Sequence, residues 1–298
     1  MDNLGFSRML PSAATSGRHG LSGSSPVFIE SHYTMKKIAA VVLLALGAAL
    51  VGCSKNENAQ PAAAPAPAAV AKIVVGLDDN FPPMGFRDDK NELVGFDIDM
   101  AREAAKRLGV EVEFKPIDWS AKEAELTGKR VDALWNGLTI TEERKQNILF
   151  TAPYMENHQI IVVPANSAIK TKADLTGKVV GAQEGSSAVD AVKKDATVFQ
   201  SLKELKTFGD NVTALMDLTT GRLEAVVVDE VVGRYYVAKK PGDYAVLGDH
   251  FGTEDYGVGL RKDDTELHTR IDKALADMKQ DGSAAKIAEQ WFGKNILK

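Results

Sequence analysis

Short apolar runs alternate with segments of helical periodicity from Lys72 to the end of the chain. The runs have the length of strands and lie at residues 73–77, 110–114, 131–135, 159–163, 179–183, 225–228 and 256–260. An apolar helical stripe covers residues 98–108 and stops at Gly109, and two more stripes follow near the C-terminus, at 267–278 and 284–291. Strands that alternate with helices in this way predict an α/β fold with mainly parallel sheets flanked by helices.

The composition allows a sizeable core and excludes several classes of protein. The chain has 298 residues, of which 44% are hydrophobic, which is enough for one large domain or two smaller ones. Its 36 basic and 41 acidic residues give a net charge of -5, which argues against nucleic-acid binding through phosphate contacts. One cysteine and scattered histidines exclude a disulfide framework and predict no metal site. We therefore expect no cofactor and no nucleic-acid partner.

An export signal precedes the α/β region. Residues 38–51 are apolar and uncharged, follow Met35-Lys-Lys37 and end in small residues before Cys53, as in a secretory signal peptide. The run is shorter than the roughly 20 residues that a membrane-spanning helix needs. The tetrad Leu50-Val-Gly-Cys53 resembles the lipobox of bacterial lipoproteins, which implies that Cys53 is lipidated and begins the mature chain. The alternative is a buried helix that ends at an inert thiol.

Three N-terminal segments follow from this signal. Residues 35–52 are predicted to be the signal peptide. Residues 1–34 are polar and lack periodicity, and we interpret them as a mis-assigned extension before a true start at Met35. Residues 53–71 are rich in alanine and proline, a composition typical of linkers. We expect this segment to tether the globular body to a membrane through the lipid, and we expect the body to be a monomer.

A short internal sequence repeat predicts two lobes. Leu126-Thr-Gly-Lys-Arg-Val-Asp-Ala133 leads into a strand that ends at Asn136, and Leu218-Thr-Thr-Gly-Arg-Leu-Glu-Ala225 leads into a strand that ends at Asp229. Ligands of open parallel sheets bind at the carboxyl ends of the strands. A cleft between two such lobes is therefore the predicted binding site.

Four polar segments at strand ends supply candidate ligand contacts. The segment 78–86 is rich in turn residues and also carries aromatics, while 136–144 offers Thr141 as a helix cap and Arg144 to grip a carboxylate. The segment 179–187 ends in two serines that cap a helix or bind a ligand, and Asp229 ends an apolar run, where a buried charge needs a partner. Arg144 could equally be a solvated arginine on a capped surface helix. Taken together, Arg144 for a carboxylate and Asp229 for an ammonium would form a clamp for an amino-acid zwitterion.

The body resembles family 3 of the bacterial solute-binding proteins, the polar amino-acid receptors of ABC importers. The resemblance extends from Ile73 to Gly293. It is carried by four stretches: Val94-Gly-Phe-Asp-Ile-Asp99, Gly137-Leu-Thr-Ile-Thr-Glu-Glu-Arg144, Phe150-Thr-Ala-Pro-Tyr154 and Asp255-Tyr-Gly-Val-Gly259. It implies a type II periplasmic-binding-protein fold with two lobes joined by two crossover strands. Lobe 1 would comprise residues 72–154 and 256–298, and lobe 2 residues 157–254.

The resemblance also implies roles for individual residues. Arg144 matches the arginine that binds the ligand α-carboxylate, helped by Thr139 and Ser187, and Asp229 matches the acid that binds the α-amino group, helped by the carbonyl of Gly137. The remaining positions predicted to line the site or contact the ligand side chain are Asp78, Phe81, Trp119, Asn136, Gln183 and Ser186. Trp119 otherwise reads as an ordinary core residue.

The resemblance further implies a substrate, partners and a location. Gln183, Asn136 and Val228 depart from better-known members, and Asn136 is similar to the residue of cystine receptors. We therefore expect a polar L-amino acid, glutamine- or cystine-like, delivered to a membrane permease that a separate ATPase drives. The protein would be exported and lipid-anchored, to the outer membrane of a Gram-negative cell or the cell membrane of a Gram-positive one.

An enzyme is the alternative, because periplasmic cyclohexadienyl dehydratases, which act on arogenate or prephenate, look like this family and add a catalytic carboxylate. Glu184 and Glu230 are the candidates for that carboxylate. The paired Arg144 and Asp229 favour binding without catalysis, so we expect no catalytic residue.

Overall fold

The computed structural model of the protein describes residues 72–298. The predictions for residues 1–34, 35–52 and 53–71, including the lipidation of Cys53, lie outside the described residues. Within 72–298 the strands are β1 (Lys72–Leu77), β2 (Asn80–Phe81), β3 (Gly85–Arg87), β4 (Leu93–Val94), β5 (Glu111–Pro116), β6 (Ala133–Leu134), β7 (Ile148–Phe150), β8 (Met155–Pro164), β9 (Val179–Gln183), β10 (Glu204–Phe208), β11 (Ala225–Asp229), β12 (Tyr244–Tyr256) and β13 (Gly259–Arg261). The α-helices of this region are α1 (Phe96–Leu108), α2 (Lys122–Thr127), α3 (Arg144–Asn147), α4 (Ser187–Lys194), α5 (Ala196–Ser201), α6 (Asn211–Thr219), α7 (Glu230–Lys239), α8 (Thr265–Gln280) and α9 (Ser283–Phe292).

Two five-stranded sheets with the same internal order form the body. The first has the order β5-β1-β6-β13-β7 and the second β10-β9-β11-β8-β12. In each sheet the first three strands are parallel, while the last two run antiparallel to their neighbours. We call the part built on the first sheet lobe 1 and the part built on the second sheet lobe 2. A small antiparallel sheet, β2-β3-β4, lies beside the first.

Two long strands run between the lobes. β8 and β12 pair antiparallel from Met155 with Tyr256 to Pro164 with Tyr244. Beyond Tyr256 the chain passes into β13 of the first sheet, and β8 follows directly on β7. The register of β12 shifts on both sides of His250, so this strand is irregular at its centre. These two strands are the crossovers that the family resemblance implies.

The predicted helix before Gly109 is confirmed. The helix α1 runs to Leu108 and ends on Gly109 in the left-handed conformation, with φ of 67°. The C-terminal stripe is also confirmed, because Leu267, Ile271 and Met278 of α8 are buried. Such faces are buried because helices cover the sheets and remove apolar side chains from water.

Other boundaries differ from the sequence-based predictions. The strand predicted at 256–260 is the end of β12 followed by β13, and the strand predicted at 131–135 contains only Ala133–Leu134. The strands β10 and most of β12 were not predicted. In β12, residues 248–255 contain glycines and polar or charged residues with a single apolar residue, Phe251. β12 forms because it pairs with β8 over most of its length, although its composition does not favour a strand. In the part of the chain that the structure describes, no helix has the length and apolarity needed to cross a membrane.

Candidate functional site

The carboxyl ends of β1, β9 and β11, with the loop after β6, meet in one pocket between the lobes. Asp78 follows β1, residues 135–139 follow β6, Gln183 ends β9 and Asp229 ends β11. The residues that line the pocket are Phe81, Trp119, Gly137, Thr139, Arg144, Gln183, Ser186, Ser187 and Asp229. Parallel strands at the centre of both sheets direct their ends to this space, as in other open α/β sheets.

Every residue that the sequence singled out for ligand contact lies in or beside this pocket. The nine lining residues are all among them, and the other two, Asp78 and Asn136, lie directly behind. Asn136 donates a hydrogen bond from Nδ2 to the carbonyl of Asp78 (2.8 Å), and Gln183 donates from Nε2 to the Asp78 carboxylate (2.6 Å). All eleven residues are buried. Trp119 is thus both a core residue and part of the pocket wall.

Arg144 places a buried cation in the pocket. Its Nη1 donates to the carbonyl of Thr139 (2.9 Å) and its Nη2 to the carbonyl of Gly185 (3.0 Å), so both partners are neutral. Within residues 72–298 it forms no ion pair, although only 6% of the residue is exposed. Burial lowers the pKa of Arg144 from its usual value, because the interior disfavours charge, but a guanidinium stays protonated at neutral pH. A buried, unpaired guanidinium is suited to an anionic ligand group.

The sequence-based interpretation of Arg144 as a solvated residue is wrong. The helix α3 has a single turn, and Thr141 accepts the backbone N–H of Arg144 (3.1 Å), which accords with its predicted capping role. The side chain of Arg144 points into the pocket and not into solvent. The Thr141 hydroxyl therefore caps this turn while Arg144 faces the pocket.

Asp229 places a buried carboxyl group at another point of the same pocket. Its Oδ1 accepts bonds from the Tyr256 hydroxyl (2.6 Å), Asn157 Nδ2 (2.8 Å) and Gln159 Nε2 (3.0 Å). No lysine or arginine of the described chain forms an ion pair with it. Burial, and then the nearby carboxylate of Glu254, raise the pKa of Asp229 to about 7. A cationic ligand group would reverse this shift by stabilising the ionised form.

Four residues behind the pocket, on the crossover strands, were missed by sequence reasoning. Asn157 and Gln159 of β8 and Glu254 and Tyr256 of β12 form a hydrogen-bonded network around Asp229. Each pair is spaced two residues apart, so its members lie on one face of the strand. The available signal was a pair of amides, Asn157 and Gln159, on one face of the polar first half of β8, since buried polar groups need partners.

Asp97 supports the pocket from behind. Its Oδ2 accepts the backbone N–H of Gly137 (2.7 Å) and the hydroxyl of Tyr154 (2.9 Å), and complete burial raises its pKa to about 7. Gly137 has φ of +59°, and a β-carbon there would lie 2.9 Å from the Phe81 ring. Only glycine fits this close approach, and Asp97 holds its peptide in place. Asp97 belongs to one of the four stretches that carry the family resemblance.

The two carboxylates considered for catalysis do not line the pocket. Glu184 is exposed, and Glu230 forms an ion pair with Arg234 (2.5 Å) and a hydrogen-bond contact with His158 Nδ1 (2.8 Å) outside it. Across residues 72–298, no group of three or more histidine, cysteine, aspartate or glutamate residues is arranged to hold a metal ion.

The cleft between the lobes is closed. Across it, Gln183 bonds Asp78, Lys122 donates from Nζ to the carbonyl of Gly185 (2.7 Å), and the hydroxyls of Thr139 and Ser187 lie 2.9 Å apart. Lys122 is buried, and burial together with the charge of Arg144 lowers its pKa to about 8. The pocket is therefore shielded from bulk water, which strengthens electrostatic contacts inside it.

Comparison with known proteins gives the pocket a family context. The L-cystine-binding protein TcyJ of Escherichia coli K12 is 35% identical over 228 residues, which cover 76% of this chain and 84% of that protein. The histidine-binding periplasmic protein of Salmonella typhimurium is 34% identical over 262 residues, which cover 85% of this chain and 98% of that protein.

Solved structures of similar sequence have the same fold. An ABC uptake transporter substrate-binding protein from Streptococcus pneumoniae, with bound histidine, is 36% identical and superposes with a TM-score of 0.73, covering 76% of this chain and 95% of that chain. An ancestral arginine-binding protein bound to arginine is 43% identical with a TM-score of 0.72, covering 76% of this chain and 100% of that chain. These matches support the type II periplasmic-binding fold.

A family-level match covers nearly the whole described body. Residues 73–294 match the bacterial extracellular solute-binding proteins, family 3. The matched region contains both sheets and every residue that lines the pocket. The chain therefore belongs to family 3 of the bacterial extracellular solute-binding proteins.

Proposed function

We propose that the protein is the receptor of an amino-acid ABC importer, which captures a polar L-amino acid in the pocket and delivers it to a permease driven by a separate ATPase. One observation carries the proposal: Arg144 and Asp229 bring opposite, buried charges into one pocket, and neither forms an ion pair within residues 72–298. Relatives named for cystine and histidine binding, and structures with bound histidine and arginine, support it.

Each end of the amino acid has its own contacts in this proposal. Arg144 grips the α-carboxylate with Thr139 and Ser187 beside it, and Asp229 takes the α-ammonium with the carbonyl of Gly137. Asp78, Phe81 and Trp119 contact the ligand side chain, and Asn136, Gln183 and Ser186 complete the wall. A charge-assisted hydrogen bond contributes roughly 1.5–3 kcal/mol net, so the clamp supplies most of the affinity.

The substrate side chain is proposed to be polar, glutamine- or cystine-like. The Asp78 carboxylate lies against the Gln183 amide, whose Oε1 accepts from Asn211 Nδ2 (2.9 Å). Burial raises the pKa of Asp78 to about 6. This end therefore offers hydrogen-bonding groups next to the aromatic walls of Phe81 and Trp119, which suits a polar side chain more than an aliphatic one.

Calorimetric titration identifies the substrate. The soluble body, started near residue 71, is unfolded and refolded to remove carried-over ligand. It is then titrated with the standard L-amino acids, cystine, ornithine and prephenate. Saturable binding of one amino acid with a Kd of about 1 μM or tighter, or -8 kcal/mol, supports the receptor. If prephenate alone gives a binding signal and the protein then converts it, the receptor proposal is wrong and the protein is a dehydratase.

Hinge closure is part of the proposal. The lobes are assigned as residues 72–154 with 256–298, and residues 157–254, with β8 and β12 as the moving connection. The hydrogen bonds across the cleft from Lys122 and Gln183 support a closed state that ligand stabilises.

We expect Gly185→Ala to impair closure. Gly185 lies in lobe 2, and a β-carbon on it would lie 2.8 Å from the Cα of Ser120 in lobe 1. Overpacking of this kind costs about 1–3 kcal/mol, so affinity should fall about tenfold and the radius of gyration with ligand should stay that of the open form. Gly177→Ala is the matched control, since Gly177 also has a positive φ (73°) but no atom within 4 Å of its added β-carbon. Equal affinity losses in both variants would exclude a closing role for Gly185.

The family places the protein outside the cytoplasm. We propose in addition that Cys53 is lipidated and that residues 53–71 tether the body to the outer membrane of a Gram-negative cell or to the cell membrane of a Gram-positive one. The lipobox-like tetrad before Cys53 supports this. Cys53→Ser should move the protein from the membrane fraction to the soluble fraction of the cell envelope, and retention in the membrane fraction would refute the anchor.

A further inference from the structure

Glu254 concentrates four hydrogen bonds on one carboxylate oxygen. Its Oε1 accepts from Thr139 Oγ1 (2.9 Å), Ser187 Oγ (3.2 Å), Asn157 Nδ2 (2.8 Å) and Gln159 Nε2 (2.8 Å). Thr139 and Ser187 line the pocket, whereas Glu254 lies one hydrogen bond behind it. The side chain comes from the crossover strand β12, and no basic residue of the described chain forms an ion pair with it.

The carboxylate determines how the two pocket hydroxyls are oriented. Thr139 Oγ1 and Ser187 Oγ lie 2.9 Å apart, so two hydroxyl protons serve three contacts: one between the hydroxyls and one from each to Glu254. Ser187 Oγ also accepts from Gln159 Nε2 (3.2 Å), so Thr139 is the hydroxyl with more free acceptor capacity. An ionised carboxylate only accepts hydrogen bonds, so at least one of these protons points at Glu254. The oxygen of that hydroxyl can then accept a hydrogen bond from a ligand group in the pocket. An ammonium suits this position because it only donates hydrogen bonds.

Glu254 and Asp229 form one acidic end of the pocket. The amide nitrogens of Asn157 and Gln159 each contact both Asp229 Oδ1 and Glu254 Oε1, at 2.8–3.0 Å. The two carboxylates are therefore bridged by amides rather than neutralised by a basic side chain. A cation that enters between Thr139 and Asp229 meets both negative charges, which favour it.

We propose that Glu254 is a positioning residue of the ammonium end of the site: it orients the hydroxyls of Thr139 and Ser187 as acceptors and adds a second negative charge for the ligand ammonium. The inference rests on the proposed function. In the proposed function Thr139 and Ser187 lie beside the α-carboxylate; the inference adds that their side-chain hydroxyls face the ammonium.

The test compares two ligands on Glu254→Gln. One ligand is the amino acid that binds most tightly among L-glutamine, L-cystine, L-histidine and L-arginine, and the other is its deamino analogue, which lacks only the α-ammonium. Replacing a charge-assisted contact by a neutral one should weaken the amino acid about tenfold. The deamino analogue should bind equally well or better. For this ligand the substitution removes a negative charge that repels its carboxylate, and it removes no attractive contact, because the ammonium is missing.

Glu156→Gln is the matched control. Glu156 lies on the other crossover strand, β8, with its side chain 51% exposed, and the substitution makes the same change of charge away from the pocket. It should alter the affinity of neither ligand. Glu254→Asp keeps the charge but moves it away from the hydroxyls, so it should reduce the affinity for the amino acid by less than Glu254→Gln does. If Glu254→Gln does not fold, the two ligands are compared on Glu254→Asp instead.

The outcomes separate this inference from the proposed function. If Glu254→Gln weakens both ligands by the same factor, Glu254 only supports the structure, and an unchanged affinity for the amino acid also overturns the inference. If the unsubstituted protein binds none of the four amino acids, the proposed function itself fails before Glu254 is tested.

Discussion

Arg144→Ala should reduce amino-acid affinity by a hundredfold or more while the protein remains folded. In the proposed complex the guanidinium gives the ligand carboxylate two parallel hydrogen bonds, each worth roughly 1.5–3 kcal/mol. The fold depends on it less, because its present partners are only the carbonyls of Thr139 and Gly185. Titration calorimetry gives the loss of affinity, and far-ultraviolet circular dichroism checks the fold.

Two further variants test whether the loss of affinity comes from the planar pair of donors on the Arg144 guanidinium. Arg144→Lys keeps the charge but not the planar pair of donors, so it should recover only part of the affinity. Arg130→Ala removes an arginine whose side chain is 51% exposed and pairs with Glu125, and it should leave binding unchanged. Affinity retained in Arg144→Ala would contradict the zwitterion clamp, whatever the controls do.

Asp229→Asn should weaken binding about a hundredfold and remove the part of the pH dependence that arises from Asp229. The variant keeps the shape of the side chain but removes the buried charge that would pair with the ammonium. Its neighbours Tyr256, Asn157 and Gln159 can still contact the amide oxygen, so we expect the folded structure to persist. Asp243→Asn, on an exposed turn outside the pocket, is the control and should bind normally.

The pH dependence follows from the pKa of Asp229. In the ligand-free protein the pKa is raised to about 7 by burial and by Glu254, while Arg144 and the Tyr256 hydroxyl favour the ionised form. A bound ammonium lowers the pKa, so binding expels a proton, and affinity falls as pH drops below 7, about tenfold per unit. The titration uses an amino acid whose side chain does not ionise between pH 5 and 8, such as L-glutamine. An affinity of the unsubstituted protein that is constant over this range would contradict the assignment.

The sequence allowed the prediction of those site residues that stand at strand ends. Asp229 follows four buried apolar residues, and Arg144 follows the strand that ends before Asn136, so their positions relative to the sheets could be inferred from pattern alone. Buried parallel strands have continuous apolar runs, which makes a charge at the end of one conspicuous. The family resemblance then supplied roles that pattern alone left open.

The crossover strands could not be predicted in the same way. Glu254 lies in the part of β12 that mixes glycine with polar and charged residues, and this strand is formed by pairing with β8, about 90 residues earlier in the chain. Single-sequence patterns do not contain pairing over such distances. Asp97 was obscured for a different reason: an acid in the first turn of a helix usually favours the exposed helix N-terminus, whereas Asp97 is fully buried under Gly137.

A crystal structure of the soluble body with its tightest-binding amino acid would show whether the pocket holds the zwitterion between Arg144 and Asp229. We expect the α-carboxylate on the Arg144 guanidinium and the α-ammonium on Asp229, each at about 2.7–2.9 Å. A ligand whose carboxylate lies away from Arg144, or whose ammonium lies away from Asp229, would contradict this expectation.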